Sequence, residues 1–350
     1  MSDSGFTLLL PFLQDSSATT LWLADENLLG EIGRIQPRDN LQVISNRYDV
    51  YQHGCSRGLE VQFNDYALGC FADASFDRIV YRVSKEKPVV HHVINQASRL
   101  LAAGGQLTIA GAKGDGIKTY ADKAATLLGD NANARKHGDC YLARISKRAD
   151  HDSARYLDDR DYTTLRKITE LQGQAVFSKP GVFGWDKVDA GSQLLIEAAY
   201  NAGHNTPPQS LLDLGCGYGY LTLCSADWPS LKHRVATDNN AAALLCMRHN
   251  AASFGMELDV LADDAGSAID QQFDLILCNP PFHQGFSVDS VLTRKFLQAA
   301  HRLLARQGTA LFVVNQFIGI ERPASALFSD VVCLNNNGKF KVLSLRKSGG

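Results

Sequence analysis

The sequence lacks the features that mark metal-binding, membrane or secreted proteins. Its eight cysteines form no CxxC pair and no Cys/His cluster with the spacing of zinc ligands, so we predict no metal site. Scattered cysteines in a long chain favour a reducing compartment. No apolar run is long enough to cross a bilayer, and the apolar residues 6–13 have no basic residues ahead of them. These absences predict a cytoplasmic protein with no signal peptide and no membrane partner.

An excess of either charge is also missing, because 35 Lys and Arg residues oppose 37 Asp and Glu residues. This near balance excludes a uniformly basic nucleic-acid-binding surface but permits local basic regions. Residues 113–148 and the tail are locally basic, and a solvated charged face is the alternative interpretation for any single residue. The basic residues are Lys113, Lys118, Lys123, Arg135, Lys136, Arg144, Lys147 and Arg148, and in the tail Lys339, Lys341, Arg346 and Lys347.

The length of 350 residues exceeds what one compact core usually holds, which predicts two domains. The charge-dense residues 150–185 have weak apolar periodicity and contain the predicted boundary. We place a first domain at residues 1–160 and a second at residues 161–350. In the second domain strand and helix patterns alternate, which predicts a mostly parallel sheet covered by helices on both faces. The predicted strands are residues 210–214, 234–237, 258–261, 273–278, 309–315 and 340–345, and the predicted helices are residues 241–254 and 293–306.

Three segments of the second half have counterparts in the first half, in the same order and at similar spacings. This predicts a duplicated α/β domain, with convergent composition as the alternative. The first half has no glycine-rich loop and no Asn-Pro-Pro-Phe at the matching places, so we expect it to be catalytically silent. The paired segments are residues 76–80 with 273–277, 99–111 with 302–315, and 138–148 with 338–348.

A glycine loop, LLDLGCGYG at residues 211–219, follows the first strand of the second domain. Gly215, Gly217 and Gly219 allow a sharp turn and a close approach of a ligand to the backbone. The dinucleotide fingerprint needs glycine where this chain has Tyr220, which disfavours a dehydrogenase. The acid before the glycines, Asp213, suits a cationic ligand such as S-adenosylmethionine, whose ammonium it can hold through water or backbone.

Acids also end the next two predicted strands, where ligands of parallel sheets bind. Asp238, followed by Asn239, is a candidate for accepting hydrogen bonds from both ribose hydroxyls. Either Asp263 or Asp264 is a candidate for the adenine amino group, and the sequence does not choose between them. A helix N-cap or a solvated loop acid is the alternative for each aspartate.

The loop CNPPFHQG, residues 278–285, follows the fourth predicted strand. Two prolines stop the strand and stiffen the turn. The Asn279 amide oxygen and the Pro280 carbonyl can each accept one hydrogen of an exocyclic amine, and Phe282 offers a face for stacking a base. Positive charge builds on the nitrogen during methyl transfer, so fixed carbonyl acceptors favour the reaction. His283 can assist, although a simple loop histidine is the favoured interpretation.

These residues resemble class I S-adenosylmethionine-dependent methyltransferases, and more closely the RsmC family of bacterial 16S ribosomal RNA guanine-N2 methyltransferases. Four segments, residues 179–195, 211–219, 236–244 and 279–285, carry the resemblance. It implies two tandem methyltransferase-like α/β domains with mostly parallel seven-stranded sheets, the first of them degenerate. It also implies that Phe, not Tyr, after the prolines favours guanine N2 over adenine N6 or glutamine N5.

The resemblance further implies that residues 179–195, with Phe183, form a lid on the methionine end of the cofactor. Asp189 and Ser192 are then near the substrate pocket, while plain core capping is the alternative. Where many relatives have serine, this chain has Gly184. The implied partner is 16S ribosomal RNA or the small ribosomal subunit, gripped by the first domain, and a monomer is favoured. The remaining alternatives are an amino methyltransferase acting on adenine or protein glutamine, and a noncatalytic RNA-binding assembly factor.

Overall fold

The computed structural model describes residues 3–151, 154–201, 207–281, 283–284, 287–288 and 290–347. The chain divides into two units, Met1–Thr164 and Leu165–Gly350. Among the described residues, no helix combines the length and the apolar character needed to span a membrane.

The first unit contains one seven-stranded sheet in the order β3-β2-β1-β4-β5-β7-β6. Strands β1 to β5 are parallel to their neighbours, and β7 and β6 add in antiparallel fashion. The strands are β1 Thr20–Ala24, β2 Leu41–Ser45, β3 Val61–Phe63, β4 Phe76–Arg82, β5 Leu101–Ala112, β6 Arg135–His137 and β7 Cys140–Ser146, and the helices are α1 Ser4–Gln14, α2 Tyr48–Ser56, α3 Lys87–Leu100 and α4 Ile117–Leu128.

The second unit repeats this topology, with a sheet in the order β12-β11-β10-β13-β16-β18-β17. Two short hairpins, β8 with β9 and β14 with β15, lie outside that sheet. The strands are β8 Arg166–Leu171, β9 Gln174–Ser178, β10 Ser210–Leu214, β11 His233–Asp238, β12 Asp259–Ala262, β13 Phe273–Cys278, β14 His283–Gln284, β15 Ser287–Val288, β16 Leu304–Asn315, β17 Asp330–Asn336 and β18 Phe340–Arg346. The helices are α5 Ala190–Asn201, α6 Tyr220–Cys224, α7 Ala241–Ser253, α8 Ser290–Leu303 and α9 Glu321–Ser325.

The identical strand order confirms the predicted duplication and the predicted pair of mostly parallel sheets. The three repeated segments correspond to β4 and β13, to the α3–β5 and α8–β16 junctions, and to β7 and β18. Several details differ from the sequence pattern, beginning with the hairpins β8–β9 and β14–β15, which were not predicted. Helix α8 ends at Leu303, so the last residues of the predicted helix begin β16. Strand β17 was not predicted because it is mostly exposed, and its four apolar residues, 331–334, do not alternate with polar ones.

The central strands are buried, and most of their residues on both faces are apolar. All five residues of β1 and the last four of β10 are buried. Helix α8 packs with Phe296, Leu297, Ala300 and Leu303, a spacing that places one apolar stripe against the sheet. Each large side chain buried in this way stabilises the fold by about 1.5–3 kcal/mol.

Residues just before the unit boundary pack on the first unit, although their charge density predicted an exposed linker. Tyr162 is buried, and its hydroxyl donates to Asp65 Oδ1. Asn95 Nδ2 donates to Leu157 O at 2.9 Å, and Leu157 N donates to Asn95 Oδ1 at 2.7 Å. The packing of this stretch could not be predicted from the sequence, because it depends on one buried aromatic residue and one hydrogen-bonded asparagine and not on a repeated apolar pattern.

In the second unit the parallel strands β10, β11, β12 and β13 end at one edge of the sheet, here called the carboxyl edge. The candidate residues of the glycine loop, the two acidic loops and the Asn-Pro-Pro loop follow these four strand ends directly. The topology therefore brings together residues that are far apart in the sequence, as such sheets do when they bind ligands.

Candidate active site

The glycine loop leaves β10 in a conformation that glycine favours. Gly215, Gly217 and Gly219 have φ angles of +83°, +55° and +98°. A Cβ on Gly219 would lie 2.1 Å from Met247 Sδ, so this glycine permits close packing against α7. A Cβ on Gly217 would meet no described atom within 4 Å. The space beside Gly217 is therefore a cradle in which a ligand can approach the backbone.

The N–H groups of this loop are used within the protein. Gly215 N and Cys216 N both donate to Thr237 O at 2.9 Å. Gly217 N donates to Asp238 Oδ2 at 2.9 Å. A phosphate-binding loop keeps such N–H groups for its ligand. The geometry thus disfavours a pyrophosphate site, in line with Tyr220 at the sixth position of the fingerprint.

Asp213 is completely buried at the end of β10. Its Oδ2 accepts hydrogen bonds from Thr222 N at 3.1 Å and from Thr222 Oγ1 at 2.7 Å. Its Oδ1 is buried without a hydrogen-bond partner among the described residues. Burial raises the pKa of Asp213 to about 7, and the charge of Asp238 adds to the rise. A cationic group bound nearby would stabilise this carboxylate, so the site fits a ligand that carries an ammonium group.

Asp238 is half-buried where β11 ends and is held by two backbone N–H groups, Gly217 N and, at 2.8 Å, Asn240 N. A carboxylate has about four acceptor positions, so these contacts are compatible with a role toward ribose hydroxyls. The half-buried Asn239 follows it, and its role stays a prediction. Asn240, which the sequence pattern did not indicate, accepts from Ala242 N at the start of α7 and donates to Gly181 O at 2.7 Å. It joins the predicted lid to the start of α7, next to Asp238.

The two acids after β12 have different surroundings. Asp263 is buried, and its carboxylate accepts from Ser267 N, Ser267 Oγ and Ala268 N. It therefore caps the turn that follows, which was the structural alternative. Asp264 is half-exposed and forms an ion pair with Lys295 of α8. We favour Asp264 for the predicted adenine contact, and the assignment stays a prediction.

Asn279 has a fixed orientation at the end of β13. Its Nδ2 donates to Asp189 Oδ2 at 2.9 Å and to Ser192 Oγ at 2.8 Å. Ionised Asp189 can only accept hydrogen bonds, so the NH2 side of the amide must face it. Both amide hydrogens are then used, and Oδ1 makes no hydrogen bond with a described residue. Asp189 also accepts from Ser192 N at 2.8 Å, which caps the start of α5. The structure thus brings three predicted residues into one network.

The lid segment, residues 179–195, contains buried anchors and one exposed ring. Val182 is buried, and Trp185 lies 5.8 Å from the guanidinium carbon of Arg166. Phe183 is 66% exposed. Gly184 has a φ angle of +65°, a conformation in which the serine of many relatives would be strained. The segment therefore caps the core and still offers Phe183 to a ligand, and its role as a lid stays a prediction.

Two predicted residues lie outside the described part of the chain, namely Phe282 and the side chain of His283. Within the described part, no group of three or more His, Cys, Asp or Glu side chains is arranged to hold a metal ion. The sequence did not indicate Asn250, which is completely buried. It accepts from Phe177 N and donates to Tyr218 O, each at 2.8 Å, and so ties β9 to the glycine loop. A polar residue on the buried face of α7 was the available signal.

Comparison with known proteins relates this geometry to a family. The profile of the methyltransferase small domain matches residues 173–344, and the profile of its N-terminal domain matches residues 23–158. A ribosomal RNA small subunit methyltransferase C from Aeromonas hydrophila subsp. hydrophila is 31% identical over 307 residues, which cover 87% of this chain and 86% of the relative. The chain belongs to the ribosomal RNA small subunit methyltransferase C family.

The likeness covers both units of this methyltransferase. The family member from Pseudoalteromonas atlantica is 26% identical, and the match spans 95% of this chain and 99% of that protein. The solved structure of the T. thermophilus 16S rRNA N2 G1207 methyltransferase, in complex with AdoMet and guanosine, has a TM-score of 0.82 at 24% identity. It covers 99% of this chain and 92% of that one, so the two-domain fold is shared. The expected family and fold are both confirmed.

Proposed function

We propose that this methyltransferase transfers a methyl group from S-adenosylmethionine to the exocyclic N2 of a guanine in 16S ribosomal RNA. The observation that carries the proposal is the locked amide of Asn279, which presents Oδ1 as an acceptor at the carboxyl edge. Membership of a family named for the small ribosomal subunit supports the RNA substrate. The T. thermophilus neighbour, described as acting on N2 of G1207, supports the corresponding guanine.

An exocyclic amine has two hydrogens, and the loop provides two carbonyl acceptors for them. Asn279 Oδ1 accepts one, and the carbonyl of the buried Pro280 accepts the other. Because the prolines fix this turn, the acceptors keep their positions as positive charge builds on the nitrogen. Both acceptors are neutral, so they stabilise the charged amine without removing its proton, which passes to water.

The cofactor site consists of the glycine loop and the acids around it. Asp213 stabilises the ammonium group, Asp238 with Asn239 accepts from the ribose, and Asp264 accepts from the adenine amino group. S-adenosylmethionine bound there supplies an electrophilic methyl group. The cradle beside Gly217 and the unpartnered Oδ1 of Asp213 are the features that fit this ligand.

The first unit is proposed to hold RNA through an exposed basic edge. All three residues of the edge strand β6, including Arg135 and Lys136, are exposed. Lys118 Nζ lies 4.7 Å from the ring centroid of Tyr141, which pairs with Lys136 in the sheet. Phosphates bound at such an edge make affinity depend strongly on salt.

Not every predicted basic residue takes part in this edge. Lys147 Nζ donates to Leu101 O at 2.7 Å, and Lys347 Nζ donates to Leu304 O at 2.6 Å. Lys341 is buried and paired with Glu321. These three lysines stabilise the fold, which leaves the exposed residues to contact a partner.

The proposed ribosomal RNA substrate also supports a cytoplasmic location for the enzyme.

The chemical test is the identity of the methylated nucleoside. Labelled methyl transfer to 16S ribosomal RNA and to small subunits, followed by nucleoside digestion, should give N2-methylguanosine. Asn279→Ala should lower turnover about 100- to 1000-fold, the usual loss for one acceptor or donor at the reacting atom, with little change in cofactor affinity. Asn335→Ala, on the exposed strand β17, is the matched control.

Other products would overturn the proposal in defined ways. N6-methyladenosine or label on protein glutamine would assign a different amino substrate. Wild-type protein that binds the subunit without transferring label would favour an assembly factor. For the basic edge, the Lys118→Glu/Lys136→Glu variant should weaken RNA binding and reduce its salt dependence by about one unit of slope for each lost phosphate contact. Lys232→Glu is the control, because Lys232 lies at the amino end of β11 in the second unit. It should change neither RNA binding nor its salt dependence.

A further inference from the structure

Phe317 is a large apolar side chain that the fold leaves in solvent. It is 85% exposed, more than the other exposed large apolar residues that the structure describes. It lies two residues beyond the end of β16, whose neighbour in the sheet is β13. The two strands are parallel, with Cys278 paired with Phe312. The turn carrying Phe317 therefore emerges at the carboxyl edge, beside the loop that begins with Asn279.

The backbone under this ring is held in place. Phe317 N donates to Asn315 Oδ1 at 3.1 Å, and Ile318 N donates to Asn315 O at 2.9 Å. Ile318 itself is buried, and Gln316 N donates to Lys339 O at 2.9 Å. The exposed ring is thus presented by a fixed turn. A preorganised aromatic face loses little conformational freedom when it binds a flat partner.

An exposed cation stands next to the same turn. Lys339 forms no ion pair with a described residue, and its Nζ lies 5.4 Å from the centroid of the Phe340 ring. Phe340 packs on the first turn of α5, which contains Gly191. A Cβ added to Gly191 would lie only 3.3 Å from Phe340 Cδ1 and 2.9 Å from Asp189 Oδ2. Asp189 binds Asn279, so a short chain of contacts connects the cation to the candidate catalytic amide.

The silent first unit shows that the fold does not need this pair. Strands β5 and β16 each have 12 residues, and the antiparallel registers match Ala112 with Cys140 and Asn315 with Phe340. By this correspondence, Gly114 occupies the place of Phe317 and Asp139 occupies the place of Lys339. The same turn is therefore built without a ring and with the opposite charge in the unit that we expect to be catalytically silent.

We propose that Phe317 and Lys339 form a subsite for the nucleotide next to the target guanine. The ring stacks on the neighbouring base, and the ammonium group binds a backbone phosphate. A target base must leave its stack to reach Asn279, which exposes the face of its neighbour to such a ring. This inference rests on the proposed function, because it assumes an RNA substrate at the carboxyl edge.

The test compares Phe317→Ala with wild-type protein on RNA that lacks one base. The methylated guanine is first located by mapping the product, and RNA fragments are then made with an abasic nucleotide on its 5′ or its 3′ side. On intact RNA, Phe317→Ala should raise KM by about 5- to 150-fold, since base–aromatic stacking is worth about 1–3 kcal/mol per base. On one of the two abasic RNAs, variant and wild type should have the same KM.

The phosphate contact is tested separately. Lys339→Ala should weaken RNA binding and reduce the slope of its salt dependence by about one unit. Lys232→Ala removes another exposed lysine, at the amino end of β11, and should leave both properties unchanged. Cofactor affinity and the unfolding midpoint should stay at wild-type values in all three variants, because these side chains are exposed.

The outcomes separate this inference from the proposed function. If wild-type protein makes N2-methylguanosine but Phe317→Ala has a normal KM, the subsite is wrong and the proposed function stands. The subsite is also wrong if the penalty of Phe317→Ala persists unchanged on both abasic RNAs. If wild-type protein methylates no RNA, both proposals fail.

Discussion

The two units of this protein use the same two positions for different purposes. Each unit begins its first helix with an N-cap aspartate, Asp3 or Asp189, and each aspartate binds the residue that ends or directly follows the central strand β4 or β13. In the second unit that residue is Asn279, whose amide is oriented by the hydrogen bond to Asp189. In the first unit it is Arg82, which is buried and forms ion pairs with Asp3 and Asp115.

Matching contacts establish this correspondence between the units. Asp77 Oδ2 accepts from Thr19 N at 3.0 Å, and Asp274 Oδ2 accepts from Ser210 N at 3.1 Å. Both contacts connect the start of a central strand to its neighbour. Counting from them places Arg82 at the position of Asn279.

The same count shows what else the first unit has replaced. Trp22, completely buried, occupies the position of Asp213, and Ser45 occupies the position of Asp238. The first unit therefore has packing and an ion pair where the second has acidic and amide side chains at the carboxyl edge. Both units therefore share the sheet and its helices, whereas the chemistry proposed for the second unit depends on a few residues at the strand ends.

The largest expected effect comes from giving the first unit the residue that the second unit has at the end of its central strand. Arg82→Asn restores the catalytic residue type but leaves the carboxylates of Asp3 and Asp115 without their cation. We expect a loss of about 3–5 kcal/mol in the free energy of unfolding, as for other buried pairs that lose one partner. Denaturant unfolding of the full chain measures it. Lys167→Gln, in an exposed pair with Glu170, should change nothing measurable, and a stable Arg82→Asn variant would contradict the role of the ion pair.

The next effect tests the orientation of the amide in the active unit. Asn279→Asp places a carboxylate against Asp189 at the position of Nδ2, 2.9 Å from its Oδ2. Two carboxylates at this distance repel each other unless they share a proton. Turnover at pH 8 should fall by at least about 100-fold, as for loss of one group at the reacting atom, and should partly recover as the pH decreases. Turnover that is equally low across the pH range would argue against this contact.

Much of the second unit could be predicted from the sequence. Strands such as β10 and β13 are mostly apolar, so their type and limits follow from composition, and the glycines and prolines that follow them mark the loops. The duplication could also be predicted, because the repeated segments include whole strands. Strand β17 could not, since its residues are mostly exposed and pair through the backbone.

The residues of the candidate site could be predicted from the sequence, but the contacts between them could not. Asn279, Asp189 and Ser192 were all candidates, but Asp189 and Asn279 are far apart in the sequence and no local pattern shows that one orients the other. Asp263 and Asp264 could not be distinguished, because only the turn geometry shows which of them is used as a cap. The exposed ring of Phe317 had no sequence signal, since it follows shortly after the apolar, buried end of β16 and looks like more of the same apolar run.

A smaller effect is expected when only the orienting residue is changed. Asp189→Asn keeps a good N-cap, so stability should stay close to wild type. An asparagine can both donate and accept, so it no longer determines which side of Asn279 faces the substrate. We expect kcat to fall roughly tenfold to 100-fold, the scale seen when a reacting geometry is misplaced, while KM for RNA stays unchanged. Ser192→Ala, which leaves Asp189 in place, should lose less, and a normal kcat in Asp189→Asn would rule out the orienting role.

The smallest effect concerns Asp213, whose counterpart Trp22 cannot titrate. Burial raises the pKa of Asp213 from 3.8 to about 7, so the folded state holds this proton more tightly than the unfolded state. Its contribution to stability is complete below about pH 4 and is lost as the pH rises through about 7, with a slope of at most about 1.4 kcal/mol per pH unit. Asp213→Asn should therefore gain stability relative to wild type between pH 5 and pH 8, measured by denaturant unfolding. A stability difference independent of pH would show that Asp213 is ionised throughout.

The same proton distinguishes the two ways in which Asp213 can serve the site. If its carboxylate stabilises the ammonium group of the cofactor, binding must favour the ionised form and release a fraction of a proton near pH 6. Calorimetry in buffers of different ionisation enthalpy measures that release, and Asp213→Asn should abolish it. Binding without proton release would restrict Asp213 to capping α6 through Thr222, a role that an uncharged side chain could perform. Asp213 and its counterpart Trp22 would then both have a structural role, and the second unit would differ from the first in one chemical respect fewer.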